Sequence, residues 1–293
     1  MSPTRPAMLR RAPVRACLWT AAALAILPMA GAAHAQGPAP HDTLDAVLWV
    51  QRSVEFKASA LGAFALARKR LDEALADRNW TAVPAEQSGT FQDFPPALIL
   101  DLDETVLDNS LFHAWMVKSD KPFDPKAWTR FVASETSTVV DGALDFAKYA
   151  DSKGVKVFYV SNRTSEEKES TRRNMARLGF PMGGNVDVFL MTRDRPDWTS
   201  AKGTRRAFIA KDYRVLLNLG DNLGDFTDAF RGSEVERLKV YDDNRARWGR
   251  EWIMLPNPKY GSFESAPYGH NFKLSREGQR KAKLDAIEAW SAP

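Results

Sequence analysis

The chain has 293 residues, 44% of them hydrophobic, and a single cysteine, so its fold must rest on a hydrophobic core and not on disulfides. The formal charge of +4 comes from residues 1–35, which hold Arg5, Arg10, Arg11 and Arg15 and no acid; beyond them Lys+Arg and Asp+Glu both stand at 37. Net charge therefore implies no nucleic-acid polymer as partner, and three histidines without a cysteine in that remainder argue against a zinc site of the His/Cys type.

In chain order, the basic start runs into an apolar stretch from Leu18 to Met29, too short to span a bilayer comfortably. It ends at Ala33-His34-Ala35 before Gln36, a small-x-small signature that predicts a signal peptide over 1–35 cleaved after Ala35. The cysteine, Cys17, precedes the apolar run, which disfavours a lipid-anchored form. A periplasmic protein without stable membrane insertion is expected.

Residues 36–42 read as a flexible start. From Thr43 to about Asp77 the pattern is helical, with Leu44, Val47 and Leu48 three and four apart; this helix is expected to be scaffold or a subunit contact, which allows a homodimer. The turn-rich stretch from Pro84 to Pro96 leads into a strand over 97–100. An aromatic-rich insert follows at about 110–140, with Phe112, Trp115, Phe123, Trp128 and Phe131. Helices are predicted over 142–153, 165–178 and 202–211, and strands over 155–160, 186–191 and 215–219. The expected organisation is an N-terminal helical segment over 36–96, a core over 97–275 and a C-terminal helix over 276–293. Strands alternating with helices predict an α/β fold: a Rossmann-like parallel sheet flanked by helices, with a smaller helical cap built from the N-terminal helix and the insert.

In such sheets ligands gather beyond the carboxyl ends of the strands. Each strong strand here ends in polar chemistry. "LILDLDETVLDNS" delivers Asp101, Asp103 and Glu104 straight after three apolar residues; "VFYVSNRT" delivers Ser161, Asn162 and Arg163; "LLNLGDNLGDF" delivers Asp221 and Asp225, and Lys202 lies between the last two. Clustered carboxylates repel and raise one another's pKa, so they require a compensating cation. Asp101, Asp103 and Asp221 form a hard oxygen site suited to Mg²⁺. Asp101 is then a candidate nucleophile forming an aspartyl-phosphate, and Asp103 the acid and base around it. Ser161 and Lys202 are candidates to steady the phosphoryl oxygens. Asp108 and Asn109 read as a turn or cap, and Arg163 as a phosphate contact or the partner of a neighbouring acid.

"DLDETVLDNS", "VFYVSNRT", "TSAKGTRRAF" and "LGDNLGDF" stand in the order of the four haloacid-dehalogenase (HAD) superfamily motifs. With "AVLWVQRSVEFKA", "KPFDPKAWTRFV" and "IMLPNPKYGSFE", the chain resembles the bacterial class C acid phosphatases, the lipoprotein-type 5'-nucleotidases of the cell envelope. The resemblance implies a HAD-like fold, Asp101 as nucleophile, and Mg²⁺ held by the Asp101 carboxylate, the Asp103 carbonyl and Asp221, with Asp225 supporting the metal's water shell. It places Trp128 and Tyr260 around a nucleotide's base or nicotinamide ring, beside Asn162 and Arg163. Small phosphate monoesters, nicotinamide mononucleotide among them, are the expected substrates. A broad acid phosphatase, a phosphotransferase and a non-catalytic binding protein of the same fold are the alternatives; the last would not need Asp101.

Overall fold

The structure, a computed structural model, describes residues 41–291, so the predicted leader, its cleavage point and Cys17 lie outside the described residues. Two helices open it, α1 (Leu44–Arg52) and α2 (Val54–Ala76). Then follow β1 (Pro96–Leu100), β2 (Leu107–Asp108), α3 (Ser110–Ser119), α4 (Pro125–Ala133), β3 (Thr138–Val139), α5 (Ala143–Ser152), β4 (Lys156–Thr164) and α6 (Lys168–Leu178). The remainder comprises β5 (Phe189–Thr192), α7 (Gly203–Ala210), β6 (Arg214–Gly220), α8 (Leu223–Phe226), α9 (Glu234–Asp243), β7 (Trp252–Met254), α10 (Ser262–Ser265) and α11 (Arg276–Ala286).

Five strands form one parallel sheet in the order β5-β4-β1-β6-β7. All of β6 and all of β1 after Pro96 is buried, which is why these strands read as unbroken apolar runs: helices cover both faces. The chain leaves β1 towards β4 on one side and later returns to β6 on the other. That reversal opens a crevice at the carboxyl edge of β1, and the polar ends of β1, β4 and β6 meet there.

The single helix predicted over 43–77 is two. The chain turns extended at Ser53, whose hydroxyl accepts a bond from the Phe56 amide at 3.0 Å and starts α2. Of Leu44, Val47 and Leu48, the three residues at helical spacing, Val47 points inward with Val50, while Leu44 and Leu48 are exposed. Along α2 the buried residues recur every three or four positions, from Phe56 to Ala74. This stripe packs on α5 and β6, so α2 belongs to the layer over the sheet and not to the cap, against expectation; α1 alone of the two packs on α3.

The insert folds as α3 and α4 on a base made by the antiparallel pair β2 and β3. It holds a small core of its own, Phe112, Met116 and Ala127 backed by Trp128 and Phe131. Asp124 caps α4 through the Lys126 amide, with Pro125 at the helix start. The strand predicted over 186–191 occupies Phe189–Thr192, and α11 ends at Ala286 instead of running to 293.

Candidate active site

Asp101 is fixed at the end of β1 by its amide, which donates to Leu219 O at 3.0 Å. Its carboxylate takes the Lys202 ammonium on Oδ1 and faces the Thr105 hydroxyl on Oδ2 at 3.2 Å. Asp221, after β6, faces the same hydroxyl at 3.2 Å and accepts from Asn257 Nδ2 at 2.8 Å. Asp225 opens α8, where one oxygen accepts from the Asn222 amide at 2.9 Å and the other meets Lys202 at 2.7 Å. Its carboxylate lies so close over Gly220 that a Cβ at that position would run into it. One oxygen from each of Asp101, Asp221 and Asp225 falls within 4.8 Å of the others.

Charge in this cluster does not balance. Lys202 is buried and bonds Asp101, Asp225 and the Val160 carbonyl. Among the described residues it is the one cation that pairs within this cluster, with Asp101 and Asp225, so two negative charges stay uncompensated when all three carboxylates are ionised. A hard divalent cation fits that donor set and that deficit. The Asp103 side chain stands outside the cluster, so this residue would reach a metal through its backbone carbonyl, as the resemblance has it.

Titration follows from the imbalance. Burial raises the Asp101 carboxyl to about 7 against the pull of Lys202, with Asp225 and Asp103 adding to the rise. Burial, then Asp225 and Asp101, push Asp221 well above the usual carboxylate range. For Lys202 burial favours the neutral amine, but Asp101 and Asp225 outweigh it and raise the pKa. A folded pKa above the unfolded one gives stability that is present below the unfolded pKa and lost as pH rises through the folded value. Without metal, Asp101 therefore destabilises the fold progressively from about pH 4 to pH 7, and the raised Asp221 carboxyl acts in the same direction as pH rises. The thermal midpoint gained on adding a divalent cation to EDTA-treated protein is expected to be larger at pH 8 than at pH 5. An equal gain at both would count against a metal among these carboxylates.

Asp103 has a separate setting. Oδ1 accepts from Arg163 Nη2 at 2.8 Å, Arg163 Nε at 3.0 Å and Asn109 Nδ2 at 2.8 Å; Oδ2 is left with weaker contacts from Ser161 Oγ and Arg163 Nε, both at 3.3 Å. Of the two sequence readings of Arg163, the geometry favours the partner of a neighbouring acid, Asp103, over the phosphate contact. Its guanidinium is buried and spent on Asp103, Asn109 and Thr171. Ser161 is likewise fully buried, its hydroxyl turned to Asp103 and accepting from the Arg163 amide. Asn162 reaches the cavity, but its side-chain amide is engaged by Arg205, Thr192 and the Ser200 carbonyl.

A cavity of about 520 Å³ opens over this floor. Asp101, Asp103, Lys202, Asp221 and Asp225 line its base, and Trp128, Tyr260 and His113 its wall. Trp128 is half-buried, edge-on to Phe112 at 5.1 Å, so it packs the cap and faces the cavity together. Tyr260 stacks on His113. Burial, then Lys259 and His41, lower the His113 pKa to about 3, so its imidazole is neutral.

The sequence reading missed several residues that hold this arrangement. Thr105 and Asn109 stand in the quoted strand-to-turn stretch, and Asn257 and Lys259 in "NPKYGS". Their polar side chains beside the predicted site residues were the available signal. Arg205 gave none: it is fully buried and ties the Ser161 carbonyl and Asn162 to the Thr199 and Ala201 carbonyls just before Lys202.

Known proteins share this pattern. The sequence model of the HAD superfamily, subfamily IIIB (acid phosphatase), matches residues 28–263. The solved structure of the class C acid phosphatase from Bacillus anthracis is 34% identical, with a TM-score of 0.75, over 85% of this chain and 98% of that one. A second structure of that enzyme, with tungstate bound, matches with the same values.

Proposed function

The chain belongs to the HAD-superfamily subfamily IIIB acid phosphatases and is a phosphomonoesterase of the class C type; on that premise we propose that it is a periplasmic, Mg²⁺-dependent 5'-nucleotidase working through an aspartyl-phosphate. The observation that carries this reading is the charge-deficient cluster of Asp101, Asp221 and Asp225 around Lys202, beside a separately held Asp103.

Asp101 attacks phosphorus, and the bond to the ester oxygen breaks. Asp103 gives the departing alkoxide its proton, then takes one from the water that cleaves the acyl phosphate and frees Asp101. Oδ2 is the oxygen for that proton, since Arg163 and Asn109 crowd Oδ1. Ser161, Asn109 and Arg163 orient Asp103, and Lys202 offsets charge on the phosphoryl oxygens. Mg²⁺, held by the Asp101 and Asp221 carboxylates and the Asp103 carbonyl with Asp225 beside them, would supply Lewis-acid charge neutralisation. The tungstate bound by the Bacillus anthracis relative is a tetrahedral oxyanion like phosphate, which supports an oxyanion site over the Asp101 floor.

The cavity is of a size for a mononucleotide, and Trp128 and Tyr260 offer flat faces to a base or nicotinamide ring. Location in the periplasm rests on the predicted leader; no helix among the described residues is long and apolar enough to cross a membrane. The test is phosphate release from nicotinamide mononucleotide, AMP and p-nitrophenyl phosphate, with Mg²⁺ and with EDTA. Release with Mg²⁺ and not with EDTA, ranked with the nucleotides first, is expected. Equal rates on all three would leave a broad acid phosphatase, and transfer to added alcohol in place of free phosphate would make it a phosphotransferase.

A further inference from the structure

Tyr260 follows Lys259 in the segment after β7, while His113 comes from cap helix α3. Their rings stack at 5.0 Å between centroids and 15° between planes, and His113 is itself wedged edge-on against Phe112 at 5.8 Å. Behind them lies a buried ion pair that the proposed reaction does not use. Lys259 bonds Glu104 Oε2, and both side chains are almost wholly shielded from solvent. Glu104 Oε1 has no hydrogen-bond partner and faces His113 Nε2 at 3.8 Å. The backbone of Glu104 is left-handed, with φ of 67°. A non-glycine residue holds that conformation only where its surroundings enforce it, and here the Glu104 amide donates to the Leu107 carbonyl at 2.8 Å while its side chain pairs with Lys259.

Glu104 directly follows Asp103 in the chain. The ion pair therefore fastens the segment bearing Tyr260 to the loop bearing Asp101 and Asp103, and the His113 imidazole stacks on the phenol within reach of the same Glu104. We propose that His113 is a positioning residue for substrate selection: stacked against Tyr260, it holds the phenol ring as a rigid face that aligns ring-bearing phosphate monoesters on Asp101. This rests on the nucleotide reading above. A phenol free to rotate would still admit the substrate but would lose the stacking contact for part of the time, so selectivity for a ring should fall with the loss of the imidazole face.

The measurement is the KM and kcat of the full chain with Mg²⁺ on AMP and on ribose 5-phosphate, the same ester without a base. Wild type, Tyr260→Ala, His113→Ala and His113→Phe are compared. KM does not depend on the folded fraction, so partial misfolding leaves the ratio of KM values intact. His113→Ala is expected to raise the AMP to ribose 5-phosphate KM ratio about two- to tenfold, the range of one aromatic pair, with much less change in the ratio of kcat values. His113→Phe should bring the KM ratio back to within twofold of wild type. If Tyr260→Ala moves the ratio and His113→Ala does not, or if His113→Phe fails to restore it, the positioning role is overturned while the nucleotide reading stands. If Tyr260→Ala also leaves the ratio unmoved, Tyr260 is not the face that meets the ring and this inference falls, while the substrate ranking above still decides the nucleotide reading.

Discussion

Asp101→Asn is expected to lower phosphate release by roughly four orders of magnitude or more on every ester, because in the proposed mechanism it replaces the attacking carboxylate by a weakly nucleophilic amide. The structure supplies no substitute. Asp221 and Asp225 are tied to Asn257, Asn222 and Lys202, and Asp103 is turned to Arg163. The fold should survive: the amide keeps the shape of the side chain and Lys202 retains Asp225. Since burial raises the Asp101 carboxyl to about 7, ionising it at pH 8 without metal opposes folding. In EDTA at that pH the variant is therefore expected to melt no lower than wild type. A variant that hydrolyses p-nitrophenyl phosphate within tenfold of wild type would sink the assignment of the nucleophile.

For Asp103→Asn the expected loss is about 10²- to 10⁴-fold in kcat on AMP, the usual range for a general acid and base. Leaving groups separate its two tasks. A nucleoside 5'-alkoxide needs the proton, whereas p-nitrophenolate departs without it. The variant should thus release about one p-nitrophenolate per active site rapidly, then turn over slowly because no base activates water. Rapid-quench measurement of that burst is the check. Equal slowing on both esters with no burst would reduce Asp103 to a structural anchor for Arg163.

Legibility in the sequence differed from one residue to the next for physical reasons. Asp101, Ser161 and Asp221 stood out because apolar strands end beside them, and a parallel sheet sends such ends to one edge. The two readings of Arg163, phosphate contact or partner of an acid, stay open in the sequence because that acid, Asp103, is 60 positions away along the chain; no local pattern records the pairing. Leu44 and Leu48 have helical spacing, yet α1 turns Val47 and Val50 inward. Helix α9 buries no residue and β7 has three residues, so neither has the periodicity that reveals an element. Trp128 and Tyr260 could be matched by resemblance, but the imidazole behind Tyr260 is visible only once the cap and the segment after β7 meet.

The pairing of β1 with β6 has a bearing on how the molecule comes into being. Thr105 touches both Asp101 and Asp221 across 116 positions of chain, so the acidic cluster is a long-range product of folding and no local segment contains it. A chain still emerging from synthesis, with β6 not yet made, holds Asp101 and Asp103 without the partners that complete a cation site. Closing so long a loop comes late among the contacts of an α/β domain. A cation taken up by these carboxylates would thereby be captured only once the sheet is whole, and would act as a latch on the finished protein rather than a nucleus for its assembly.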